Sequence, residues 1–242
     1  MMALIENEGR TIVFKDSTIS SDEEKSDLAV TKSEENGSIR FTNTKGTAQK
    51  SNLLWFLKLN QRLNVQETQL KTIMMNALCC FINHEVNSTN TGASIQLMNC
   101  VLSYGSNTFI KVAATDQWGV KGSNGGDAVV QLTNQNIEGD FLVDSDSKLH
   151  INLVKSNIKG KINPANTGQT VSITIDRYST ITITGNSYCL MINNEIQDGS
   201  NLINGSYTWT IGKPIIDNYA KGIFGDKLFI LGLSLILNIL LL

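Results

Sequence analysis

Asp140, Asp144 and Asp146 are the densest acidic group beside a regular stretch of the sequence. In a strand running straight through them, side-chain alternation puts all three on one side, where their oxygens could gather a calcium ion. A calcium site takes about six to eight oxygens, and three aspartates nominate only part of that set. The alternative is that they are ordinary outward-facing bend residues. Other catalytic chemistry is sparse. A lyase that removes a proton beside a uronate carboxyl needs a basic side chain and usually calcium. The arginines, Arg10, Arg40, Arg62 and Arg177, are far apart. A hydrolase needs two carboxylates facing across a groove, and nothing in the spacing of Asp176 and Glu195 makes them such a pair. His84 and His150 are isolated, and the cysteines, Cys79, Cys80, Cys100 and Cys189, lack metal-ligand spacing. These thiols read as partly buried small apolar groups, although Cys100 could also meet one of the Cys79–Cys80 pair on a neighbouring element.

Binding chemistry is easier to nominate. Residues 115–127 form a glycine-rich stretch carrying Gln117, Trp118 and Asn124. An indole on a protruding loop can stack on a sugar face, or it can fold back and bury itself as large aromatics normally do. With Lys155, these three make up the expected ligand-binding set. Polar side chains at alternate positions, among them Gln131, Thr133, Asn152, Lys155, Thr174 and Thr182, would supply hydrogen bonds to a regularly spaced polymer.

The elements that must carry these residues follow from a repeat. The phrase Val130-Gln131-Leu132-Thr133-Asn134-Gln135-Asn136-Ile137-Glu138-Gly139 returns 21 residues later as Ile151-Asn152-Leu153-Val154-Lys155-Ser156-Asn157-Ile158-Lys159-Gly160. Its frame is apolar at i, i+2 and i+7, with a polar residue at i+4. It recurs upstream at Ile12, Phe14, Asp16, Ile19, then at Leu63, Val65, Glu67, Leu70, and at Ile95, Leu97, Asn99, Leu102. Ile39, Phe41 and Asn43 keep the first half, with Gly46 in the last apolar place, and Ile173 and Ile175 resume the alternation. A second apolar patch follows each phrase: Leu28 to Val30, Leu53 to Phe56, Leu78 to Phe81, Phe109 to Val112, Phe141 to Val143, and the weaker Lys161-Ile162. These segments are too short for helices, and they alternate as strands do. A fixed period of this length marks a stacked solenoid, whose coils bury an inner row only against their neighbours. The expected fold is therefore all-β, a right-handed parallel β-helix of about seven coils. Asn43, Asn99 and Asn134 share the i+4 place, which predicts a partial internal amide ladder; the alternative is that asparagine simply tolerates a bend.

The expected organisation is a β-helix over 1–212, with 52–82 irregular and 115–127 an inserted glycine-rich loop. A linker over 213–227 and a hydrophobic tail over 228–242 follow. Local propensity in 52–82 also permits helix. The last 15 residues carry no charge, short of the roughly 20 apolar residues of a spanning helix. They suit either a hydrophobic helix packed on the solenoid or the tail of a lipid-anchor signal. No secretory leader is visible at the start. A charged fraction of 17% and a net charge of −2 suit a solenoid with uncharged outer faces, and argue against a nucleic-acid partner.

With these residues assembled, the chain resembles the pectate-lyase-like β-helix proteins of microbial cell surfaces, in particular adhesin-like and carbohydrate-binding members. The residues that carry it are the loop from Trp118-Gly119 through Gly125-Gly126-Asp127, Asn134 to Gly139, Val143-Asp144-Ser145, Leu149 to Ser156, and Ile181-Thr182-Ile183-Thr184-Gly185-Asn186-Ser187-Tyr188. The resemblance implies a non-catalytic cell-surface or extracellular protein that binds a polysaccharide such as a pectin-type polymer. Calcium would be its only possible cofactor, and residues 228–242 its membrane anchor. The alternatives are a polysaccharide lyase or glycoside hydrolase of the same fold, or a structural spacer.

Overall fold

The structure, a computed structural model, describes residues 3–5, 11–21, 29–31, 38–48, 54–56, 61–67, 69–72, 79–81, 92–103, 107–113 and 125–212. Among them the chain is all-β, a parallel β-solenoid with about four turns and no helix. The described residues all belong to one compact unit ending at Gly212. The apolar tail, the linker before it and residues 115–124 of the insertion lie outside them.

The inner rows of the phrase build the longest sheet. Its eight parallel strands run in chain order, Thr11–Lys15, Ser38–Thr42, Gln61–Gln66, Gly92–Met98, Asp127–Thr133, Lys148–Val154, Thr170–Ile175 and Met191–Asn194. Register follows the repeat: Val130 pairs with Ile151 and Leu132 with Leu153, then Ile151 with Ile173 and Leu153 with Ile175. Upstream, Ile12 pairs with Ile39, Ile39 with Leu63, Leu63 with Ile95, and Ile95 with Val130. Alternation turns one face inward, so Ala128, Val130, Leu132, Leu149, Ile151, Leu153, Val171, Ile173 and Ile175 are all buried. A slip of one residue would expose this whole row, which is why the register is strongly specified.

Five of the six second patches, with the unexpected strand Ala3–Ile5 before them, form a six-stranded parallel sheet: Ala3–Ile5, Ala29–Thr31, Leu54–Phe56, Cys79–Phe81, Thr108–Val112 and Asp140–Val143. The stretch where helix competed thus carries the strands Leu54–Phe56, Gln61–Gln66, Gln69–Thr72 and Cys79–Phe81. Parallel neighbours on both sides decide its conformation over local propensity. Phe109 occupies a register shift between Thr108 and Ile110, and its ring lies 5.2 Å from that of Phe141. Both rings are fully buried. The weak patch at Ile162 gives a single bridge to Phe141. Beyond it residues 163–168 form a loop in which Asn163 Oδ1 accepts from the backbone N–H groups of Thr167 and Gly168.

The third side consists of short strands. Thr18–Ser21, Lys45–Ala48, Gln69–Thr72 and Val101–Ser103 stack in one group; Asn136–Glu138, Asn157–Gly160, Thr180–Ile183 and Leu202–Ile203 stack in another. Gly46 keeps its place, paired with Ile19 and Leu70.

Two polar columns mark the corner between the long sheet and these short strands. At i+4, Asp16, Asn43, Glu67, Asn99, Asn134 and Lys155 all have φ near +50°, a conformation that Asn and Asp tolerate better than most residues. Each of the first five donates its backbone N–H to a carbonyl of the next coil, as Asn134 does to Val154 at 3.0 Å. The ladder has a single amide rung, Asn134 Nδ2 donating to Asn99 Oδ1 at 2.6 Å; Asn43 Nδ2 donates instead to the Asp16 carboxylate at 2.7 Å, and Glu67 stands between Asn43 and Asn99. The rung is exposed rather than internal, because a left-handed residue turns its side chain out at the bend.

Serine hydroxyls fill inward positions at this corner and at others. Ser147, Ser156, Ser179 and Ser187 are buried, and each accepts a backbone N–H from the preceding coil: Gly126 to Ser147, Gln135 to Ser156, Ser156 to Ser179 and Ile162 to Ser187, at 2.9–3.0 Å. Backbone groups at a corner point between strands and must find partners when buried. A serine supplies one without filling the core. Gln135 occupies a serine place less well, since its Oε1 is buried without a hydrogen-bond partner.

Candidate binding groove

The outer face of the second short-strand group carries a concavity. On its inner side Ile137, Ile158 and Ile181 stack in the core. Alternation therefore sends their neighbours outward in two columns, Asn136, Asn157, Thr180 and Glu138, Lys159, Thr182. In the first, Asn157 Nδ2 donates to Asn136 Oδ1 at 2.9 Å, and Thr180 Oγ1 donates to Asn157 Oδ1. In the second, Lys159 Nζ donates to Glu138 Oε1 at 2.7 Å. Leu102 and Asn107 flank the columns, and the open hollow over them measures about 670 Å³.

A smaller hollow of about 310 Å³ adjoins it, sharing Asn107, Glu138 and Lys159 and extending over Asp140, Lys161 and Thr184. Asp140 is buried and anchored on both sides. Its Oδ1 accepts the backbone N–H of Lys161 at 2.8 Å, its Oδ2 lies 3.1 Å from Lys161 Nζ, and its own N–H donates to Asn107. Burial of a carboxylate is tolerated because the charge is paired and hydrogen-bonded. Gly139 and Gly160 form the floor of this corner.

The residues nominated from sequence are dispersed. Trp118, Gln117 and Asn124 lie outside the described residues. Gly125 and Gly126, which close that insertion, are buried, and Asp127 already opens a strand. Lys155 is exposed at the left-handed corner, with its N–H donating to Asp176 Oδ2 at 3.1 Å. Asp144 and Asp146 occupy the turn after Val143, where the strand has ended, and Asp146 donates its N–H to Asp144 Oδ1. The straight strand that would align them with Asp140 is not what the chain forms. Among the described residues no three His, Cys, Asp or Glu side chains cluster as a metal site would require.

Other titratable groups make local contacts. Asp176 caps its turn through the N–H of Tyr178 and the hydroxyl of Ser179, and Glu195 accepts from Arg177. His150 Nδ1 lies 2.6 Å from Ser172 Oγ. Cys100 Sγ donates to the Met98 carbonyl. Cys189 is a free buried thiol whose desolvation pushes its pKa up to about 12.

Sequence reasoning passed over Asn107, Asn136, Glu138, Asn157, Lys159 and Lys161. A signal for four of them was present. Asn136 and Asn157 hold one place in the repeated phrase, and Glu138 and Lys159 hold another. In-register stacking turns equal places into contacts, so an acid and a base at one place predict an ion pair. Asn107 carries no such mark, because it belongs to no phrase.

Among the described residues no helix is long and apolar enough to cross a membrane. No family model matches the sequence, and neither a curated protein nor a solved structure matches it significantly. The likeness to β-helix proteins accordingly rests on the architecture, a parallel β-solenoid.

Proposed function

We propose that this chain is a non-catalytic, adhesin-like binder of polysaccharide at a cell surface or in the extracellular space, and that the glycan lies in the groove over the short strands. The observation that carries this reading is the pair of outward columns, Asn136, Asn157, Thr180 and Glu138, Lys159, Thr182, beneath one continuous hollow. Amides and hydroxyls both donate and accept hydrogen bonds, as sugar hydroxyls do. Coils stacked about 4.8 Å apart repeat the same groups along the axis, which suits a polymer. The groove's carboxylates, Glu138 and Asp140, are committed to Lys159 and Lys161, an arrangement better suited to holding shape than to proton transfer.

On this reading the solenoid is a right-handed, pectate-lyase-like β-helix of about seven coils. Gln117, Trp118, Asn124 and Lys155 contribute further contacts to the glycan, and residues 228–242 tether the protein to a membrane.

The test is affinity electrophoresis of the full chain through gels containing single polysaccharides. Replacing Asn157 and Thr180 together by alanine is expected to weaken retardation about tenfold, the loss of two or so net hydrogen bonds. Retardation unchanged in that variant would remove the groove from the proposal. Abolition by Trp118→Ala alone would move the site to the inserted loop.

A further inference from the structure

The charges of the groove say which glycan it takes. Two cations face it, Lys159 and Lys161, and each has a carboxylate partner on the preceding coil: Glu138 at 2.7 Å and Asp140 at 3.1 Å. Asn107, Asn136, Asn157, Thr180, Thr182 and Thr184 complete the polar lining, and all are uncharged. The described lining therefore carries two positive and two negative charges, compensated pair by pair. Arg177, which would suit a carboxylate ligand by its fork geometry, pairs instead with Glu195 at 3.3 Å and is no part of the lining.

A uronate polymer brings one carboxylate per sugar. To bind here, each would have to displace Glu138 or Asp140 from its lysine, or lie beside those carboxylates, and like-charge juxtaposition is strongly unfavourable. A neutral polymer displaces nothing. Its hydroxyls can accept from the amide Nδ2 groups and donate to Oδ1 atoms and threonine hydroxyls. We infer that the groove selects an uncharged polysaccharide and rejects polyuronates such as the pectin-type polymer that the resemblance suggests. This rests on the polysaccharide-binding reading and narrows it.

The experiment compares retardation of the full chain by hydroxyethylcellulose, galactan and mannan with retardation by polygalacturonate, at low and high salt. At least one neutral polymer is expected to bind about tenfold or more tightly than polygalacturonate, with little response to salt. Glu138→Gln frees the Lys159 ammonium, and is expected to raise polygalacturonate binding several-fold in a salt-sensitive way. Stronger binding of polygalacturonate by the unaltered chain would overturn the selectivity while leaving polysaccharide binding in place. Glu138→Gln without effect on polygalacturonate would overturn the role of charge compensation. Failure of a folded chain to bind any of the four polymers would overturn both the selectivity and the function it rests on.

Discussion

Gly160 offers the sharpest test of how the coils meet. A Cβ built there would stand 2.0 Å from the Gly139 carbonyl oxygen and 2.6 Å from its carbon, where ordinary contact begins at 3.4 Å. Its backbone lies outside the left-handed region, so alanine meets no conformational penalty and the clash is purely steric. The obstacle is backbone of the adjacent coil, which cannot rotate away as a side chain would. Relief requires more than an ångström of local separation. That strains the bonds from Gly139 N–H to Lys159, from Phe141 N–H to Lys161 and from Lys161 N–H to Asp140, now 2.8–2.9 Å long. Losing two of these costs about 2 kcal/mol, and overpacking adds roughly 1–3 kcal/mol. The entropy that alanine removes from the unfolded chain returns about 0.4–1 kcal/mol. Gly160→Ala should therefore destabilise by about 3 kcal/mol, a fall in Tm of about 10 °C for a chain of this size. Far-UV circular dichroism during thermal and urea unfolding reads this directly, and hydrogen exchange should localise it to strands Asn136–Glu138 and Asn157–Gly160. Gly205→Ala is the control: φ is +55° and nothing lies within 4 Å, so only conformational strain of about 1 kcal/mol applies. Equal stability of Gly160→Ala and the unaltered protein, or a larger loss at Gly205, would refute the close stacking at this corner.

Ser156→Ala removes the hydroxyl that accepts the buried Gln135 N–H; a loss of about 1–3 kcal/mol is expected in urea unfolding, and a loss no larger than that of Ser145→Ala would deny the column its role. Cys189 has an ordinary pKa of 9.0 that burial raises to about 12. The folded state thus holds a proton that the unfolded state releases first, and this contribution to stability is full below about pH 9 and fades as pH rises toward about 12. Urea midpoints of the unaltered chain should fall faster across that window than those of Cys189→Ala, and parallel slopes would contradict the burial. In the same state, peptide mapping after iodoacetamide treatment should find Cys189 modified only once the protein is unfolded.

The solenoid was legible because its code is local and repeated. An apolar residue at i and i+2 fixes which face turns inward, and the phrase fixes which residue lies above which. Leu132, Leu153 and Ile175 accordingly form one column in the structure. Five of the six second patches were legible for the same reason and fall in a single sheet, while Ile162 adds one bridge to its edge. Strand alternation, which would align the aspartates, ends at Val143, where the chain turns. Two of the three sit in a bend, and the third is buried in the groove against Lys161.

What the sequence by itself determined was therefore the inner surface. Only there does burial discriminate among residues, and hydrophobic periodicity records that discrimination directly. The outer surface and the corners were decided by tertiary structure. Glu138 and Lys159 are 21 residues apart and become partners only because coil closure sets one over the other. The corner serines look like any surface serine until the backbone N–H groups above them are located. Solvent accepts many polar residues equally well, so their sequence pattern carries little information until stacking gives each a neighbour.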